Sequence, residues 1–160
     1  MKLGLAIREL HRSENSMAAF LLKMSDRHKV DHAIYHVARD LATWSQTHVH
    51  ELTEVGERYG VSMRDKPKDD SGIMAGVRQK ASEVLGERPE PGLLLLADLR
   101  RVHRKAAGLS VDWELLGQAA QAAKDKELLE LTKRCHPQTL RQMRWANAML
   151  KEISPQVLMS

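Results

Sequence analysis

The chain has 160 residues, of which 42% are hydrophobic, 29% charged and 4% aromatic, with a formal net charge of +4 at pH 7. This length suits a single domain over residues 1–160 that can bury a core without disulfides or metal, and the composition favours helices over strands. The single Cys135 excludes an internal disulfide, and no apolar run is long enough to span a bilayer. We therefore expect an all-α cytoplasmic protein with no signal peptide and no membrane partner.

The first predicted helix covers about residues 3–27, where apolar residues recur at helical spacing. Glu14 interrupts the centre of this apolar stripe, between Leu10 and Met17. A carboxylate at such a position is costly unless it is paired, protonated or bound to a metal. Glu14 is therefore a candidate functional residue.

The second predicted helix covers about residues 31–60, and His48 lies within its apolar stripe. The other members of the stripe are Val30, Ile34, Val37, Leu41, Trp44, Leu52, Val55 and Tyr59. If the chain reverses near residues 29–31, positions whose numbers sum to about 60 lie side by side. This register predicts that Glu14 is level with His48, which has Glu51 close after it.

Three further histidines, His28, His32 and His36, are predicted to face away from the core. Their four-residue spacing puts the rings on one side of a helix, where they could bind a transition metal adventitiously or form a pH-sensitive contact. A solvated surface is the preferred interpretation.

Gly60 is expected to end the second helix, and a long connection over residues 61–92 follows. The connection contains a short predicted helix at about 73–85. Its length is too great for a tight turn and suits a crossover that climbs the length of a bundle.

The third predicted helix covers about residues 93–123 and keeps its periodicity across Gly108. One continuous helix is the preferred interpretation, and the alternative is a break with Ser110 starting a new helix. A cluster of basic residues lies on this helix: Arg100, Arg101, Arg104 and Lys105. A solvated face is favoured there over a patch that binds nucleic acid.

The fourth predicted helix covers about residues 126–153 and is expected to end at Ser154 and Pro155. Its inward positions include Cys135, Thr139 and Gln142. Cys135 and the adjacent His136 do not form a catalytic dyad, because consecutive helical residues point about 100° apart. No phosphate-binding loop motif is present.

Two hairpins of long helices joined by a crossover, with inward Glu14 and His48, resemble the ferritin-like superfamily. The resemblance implies a four-helix bundle with a long crossover between the second and third helices. It also implies a di-iron site with one Glu from each of two helices and Glu-x-x-His from each of the others. Glu14 matches a lone Glu.

Elsewhere the chain departs from that pattern. Ser45 and Lys133 stand three residues before His48 and His136, where the motif requires Glu. On the third helix, Asp98 and Glu114 are expected to lie off to the sides of the inner stripe. The interior would then hold a metal-free polar layer that includes Glu14, His48, Thr139 and Gln142.

These features predict a non-catalytic or degenerate ferritin-like protein of the bacterial type that self-associates into a homo-oligomer and needs no cofactor. One alternative is a metalloprotein that holds iron or zinc on Glu14, His48 and Glu51. Another is a basic module that binds nucleic acid or an acidic partner through the cluster on the third helix.

Overall fold

The computed structural model describes residues 2–63 and 90–160. Over these ranges the chain forms four α-helices and no strands. They are α1 (Leu3–Arg27), α2 (His32–Arg58), α3 (Pro91–Ala122) and α4 (Lys126–Leu158). The predicted all-α four-helix bundle is confirmed, whereas the short helix predicted at about 73–85 lies outside the described residues.

Gly108 and Pro155 both lie inside helices. α3 is continuous through Gly108, as preferred, so Ser110 does not start a new helix. α4 continues past Pro155 to Leu158, and the prediction that it ends at Ser154 and Pro155 is wrong. Proline removes one backbone donor, but its carbonyl still accepts, and the Met159 N–H donates to the Pro155 carbonyl at 3.2 Å.

Local signals fix where the helices begin and end. Asp31 and Asp125 are N-caps whose carboxylates accept from the backbone N–H groups of Ile34 and Leu128. Gly60 has a φ of +71° and follows the end of α2, where the Val61 N–H donates to the Gly56 carbonyl. This Schellman arrangement favours glycine because L side chains rarely adopt positive φ.

The helices form two antiparallel hairpins, α1 with α2 and α3 with α4, which pack through α1 against α3 and α2 against α4. Arg27 at the end of α1 pairs with Asp98 near the start of α3. Arg58 at the end of α2 pairs with Asp125 at the start of α4. The end of α2 and the start of α3 therefore lie at opposite ends of the bundle, and these two helices run in the same direction.

One apolar core runs through the bundle and includes Trp113, Leu52, Leu99 and Met17. Val30, predicted to be part of it, is 90% exposed, because it lies in the turn before α2 and the helical periodicity does not extend to it. No helix within residues 2–63 and 90–160 is both long and apolar enough to cross a membrane.

Candidate functional site

The centre of the site is Glu14, which is fully buried in the bundle. Its Oε1 atom accepts two hydrogen bonds, one from His48 Nδ1 at 2.9 Å and one from Trp113 Nε1 at 2.8 Å. The predicted register of the first hairpin is therefore confirmed. Glu14 Oε2 is also buried but has no hydrogen-bond partner among the described residues.

His48 is 1% exposed and uses both of its ring nitrogens. Nδ1 faces Glu14 Oε1, and Nε2 faces Gln138 Oε1 at 2.7 Å. Each ring nitrogen therefore faces an oxygen acceptor, an arrangement that favours the imidazolium form of His48. Burial alone would lower the pKa of His48, but the hydrogen bond and charge of Glu14, with Gln138 and Glu51, raise it above its ordinary value.

Each helix contributes one side chain to this hydrogen-bonded group, which we call the buried layer: Glu14, His48, Trp113 and Gln138. The rings of His48 and Trp113 also meet edge to face, with centroids 5.6 Å apart. The layer joins an acidic side chain to a basic one where both are buried, so a charge on Glu14 and a charge on His48 compensate each other.

The sequence prediction missed two members of the layer. Trp113 follows the apolar periodicity of α3, which by itself predicts only a core residue; the available signal was that a buried indole N–H usually requires an acceptor. Gln138 lies beside the inward positions of α4 and gave no periodic signal.

Thr139 and Gln142 are buried, as expected, but they do not hydrogen-bond to Glu14 or His48. The Thr139 hydroxyl donates to the Cys135 carbonyl of its own helix at 3.3 Å. Gln142 Nε2 donates to the Leu41 carbonyl and to Ser45 Oγ, which ties α4 to α2 about one turn from His48. The predicted connection of these two residues to the Glu14–His48 pair is therefore wrong.

Glu51 contacts two residues of α4. Its carboxylate accepts from the Cys135 thiol at 3.5 Å and pairs with Arg134 at 3.5 Å. Burial, followed by the charge and hydrogen bond of Glu51, raises the pKa of the Cys135 thiol far above its ordinary value. Cys135 is therefore a protonated, structural thiol.

The surface histidines divide into two kinds. His32 and His36 are exposed, with ring centroids 6.3 Å apart. His28, predicted to face solvent, is buried, because it ends α1 and turns toward α3. Among the described residues, no group of three or more His, Cys, Asp or Glu side chains is arranged so that it could hold a metal ion.

A second polar cluster joins α1 to the start of α3. Asp98 is only 4% exposed, so its predicted position at the side of α3 is wrong. Its carboxylate accepts from Arg27 Nη1 at 2.9 Å and from His28 Nε2 at 2.7 Å. Glu114, in contrast, is exposed, as expected for a position beside the inner stripe.

The basic cluster of α3 lies against α1. Arg101 and Lys105 stand over the ring of Phe20, at 4.6 and 6.0 Å from its centroid. Lys105 Nζ also donates to Ser16 Oγ at 2.6 Å. Arg100 and Arg104 are exposed.

No protein family model, curated protein or solved structure matches the chain. The function is therefore inferred from the residues of the site and their contacts.

Proposed function

We propose that this chain is a non-catalytic bundle with ferritin-like wiring, in which the buried layer takes the place of a metal site. The observation that carries the proposal is the hydrogen bonding of His48. Both of its ring nitrogens face oxygens, of Glu14 on one side and of Gln138 on the other. A histidine needs an unprotonated nitrogen to ligate a metal, and both nitrogens of His48 are already engaged with oxygens of neighbouring side chains.

The contribution of the third helix supports the same conclusion. On α3, Trp113 donates a hydrogen bond to Glu14. Its indole N–H is a donor only and cannot ligate a metal. On the fourth helix, Gln138 supplies a neutral amide to the layer. A di-iron centre needs carboxylates from both hairpins, so the donors that meet here do not fit that group.

Glu14 Oε2 is the observation that favours the competing metalloprotein hypothesis. It is a buried carboxylate oxygen without a hydrogen-bond partner among the described residues, as a metal ligand would be in the absence of its metal. Its expected co-ligand Glu51 is held by Arg134 and Cys135. Iron or zinc on Glu14, His48 and Glu51 would require His48 to lose a proton and Glu51 to leave these partners.

A scaffold role also includes self-association through an apolar helix face. Val111 and Leu115 lie one turn apart on α3 and are 54% and 62% exposed. We expect sedimentation velocity to show a homo-oligomer that dissociates on Val111→Lys combined with Leu115→Lys. A wild-type monomer at all concentrations would contradict this part of the proposal.

Metal content and the protonation of His48 test the central claim together. The full chain, purified without a His-tag, is exposed to Fe(II) or Zn(II), desalted and analysed for metal. In parallel, ¹⁵N-edited NMR observes the His48 ring. We expect substoichiometric metal and two ring N–H protons on His48, with the same metal content in the Glu14→Gln variant.

A matched control uses Glu57→Gln, which changes an exposed carboxylate on α2. At least one metal ion per chain, lost in Glu14→Gln but retained in Glu57→Gln, would overturn the proposal. A His48 ring nitrogen that carries no proton and shifts when metal is added would overturn it independently.

A further inference from the structure

An open groove of about 210 Å³ lies on the surface between α1 and α3, and its lining includes none of the four residues of the buried layer. Its cationic residues are Arg12 of α1 and Arg104 and Lys105 of α3. Ser13 and Ser16 of α1 add two hydroxyl groups. The groove therefore combines positive charge with neutral hydrogen-bonding groups in a concave site.

Gly108 also lines this groove, in the middle of α3. Glycine is much less favourable than alanine inside a helix, so its presence calls for a reason. Packing does not supply one, because a Cβ added to Gly108 would meet nothing within 4 Å. Glycine is suited to positions where a ligand approaches the backbone closely, and here it leaves helix backbone uncovered beside the cations.

The surroundings of Lys105 in this groove disfavour its positive charge. Lys105 is only partly exposed, and burial together with the charge of Arg101 lowers its pKa. Among the described residues no carboxylate forms an ion pair with Lys105. A bound anion would offset the effects of both the burial and the Arg101 charge on Lys105.

Ser16 offers a neutral hydrogen-bond donor beside Lys105. Its oxygen accepts the hydrogen bond from Lys105 Nζ, so its own hydroxyl proton remains available to a ligand. Ser16 could thereby donate to the same anion that the lysine would attract.

We propose that the groove binds the phosphate group of a small phosphate monoester that also carries hydroxyl groups. Lys105 and Arg104 would make charge-assisted hydrogen bonds to the phosphate, with Ser16 as a neutral donor. Asp112 also lines the groove and would accept a hydrogen bond from a ligand hydroxyl.

The acidic residues argue against a nucleic-acid backbone as the occupant. Asp112 lines the groove, and Glu9 lies near enough for its charge to act on Asp112. Acidic residues therefore interrupt the row of cations between α1 and α3. A polyanion needs several cations in succession, whereas one phosphate needs only the pair on α3 with its hydroxyl partners.

The test is an NMR titration of the ¹⁵N-labelled full chain with inorganic phosphate and with glycerol phosphate, at constant ionic strength set by chloride. We expect saturable shifts centred on the Lys105 and Gly108 amides. Lys105→Gln should weaken binding about tenfold or more, since hydrogen bonds to charged groups are among the strongest. Arg141→Gln, a change of an exposed arginine on α4, should leave the affinity unaltered.

The Gly108→Gln variant tests whether phosphate binding depends on the shape of the groove or only on the positive charge around it. It keeps every charge and suits a helix, but it fills the space beside the cations, so phosphate binding should weaken as much as in Lys105→Gln. Circular dichroism verifies that each variant is folded. Shifts that never saturate, an affinity unchanged by Gly108→Gln, or binding confined to duplex DNA with steep salt dependence would each overturn the proposal.

Discussion

Trp113 and Glu14, 99 residues apart in the chain, are joined by a 2.8 Å hydrogen bond from the indole nitrogen to a carboxylate oxygen. That same oxygen accepts from His48, so one atom connects three helices. Because Glu14 has no exposed surface, its negative charge depends on these donors for the stabilisation that water would otherwise give. The hydrogen bond thus links the two hairpins through a buried charge.

Replacing Glu14 should be strongly destabilising. Glu14→Ala leaves the buried His48 ring and the buried Trp113 indole N–H without their acceptor. We expect the free energy of unfolding to fall by about 3–5 kcal/mol. Glu14→Gln keeps one oxygen acceptor and should lose less. Urea denaturation measures both, with Glu57→Ala at an exposed position expected to change stability by about 0.5 kcal/mol or less. A loss of the same small size for Glu14→Ala would contradict the buried layer.

The layer also predicts a pH dependence. Because the pKa of folded His48 is raised above 6.5, its contribution to stability is complete below the unfolded value and is lost as pH rises through the folded value. The stability difference between wild type and His48→Gln, measured by urea denaturation, should therefore shrink as the pH rises above 6.5. His32→Gln, at an exposed histidine, is the control. A difference that grows with pH would mean that His48 is neutral in the folded state.

Two glycines should respond in opposite directions to alanine. At Gly108 an added Cβ meets nothing, so Gly108→Ala should stabilise the protein by up to about 1 kcal/mol. At Gly4 the new atom would lie 2.7 Å from Val61 Cγ2 and 3.2 Å from the Tyr59 carbonyl oxygen. Gly4→Ala should therefore destabilise by about 1–3 kcal/mol. Thermal unfolding of the two variants checks this, and stabilisation by both would show that α1 does not pack closely against the end of α2.

Cys135 should be unreactive in the folded protein. Burial and the nearby Glu51 charge raise the pKa of its thiol, so almost no thiolate is present at neutral or mildly alkaline pH. A thiol-specific reagent should label the native chain only at the rate of its opening, and the urea-unfolded chain at once. Rapid, complete labelling of the native protein would place this thiol at the surface.

The sequence was sufficient for most of the fold because the governing signals are local. Apolar spacing located the helices, and the register of the first hairpin correctly placed Glu14 beside His48. The errors fell where local periodicity stops. Val30 lies in a turn, His28 ends a helix, and Pro155 follows helical positions that already fix the backbone.

The candidate site was only partly predictable because its partners come from different hairpins. The direction in which Glu51 turns depends on Arg134 and Cys135, more than 80 residues away in sequence. Likewise, the burial of Asp98 depends on Arg27 and His28 at the end of another helix. Periodicity within one helix cannot reveal which helix packs beside it, so these contacts required the tertiary structure.

The buried layer draws two side chains from each hairpin, and this division predicts an effect on the unfolding rate. Glu14 and His48 lie 34 residues apart and can meet within the first hairpin, whereas Trp113 and Gln138 arrive only with the second. We therefore expect the Glu14–His48 pair to be removed from water only when the two hairpins dock, late in folding. Changes in the layer should then act mainly on the unfolding rate, so the buried charge governs native lifetime more than the speed of folding.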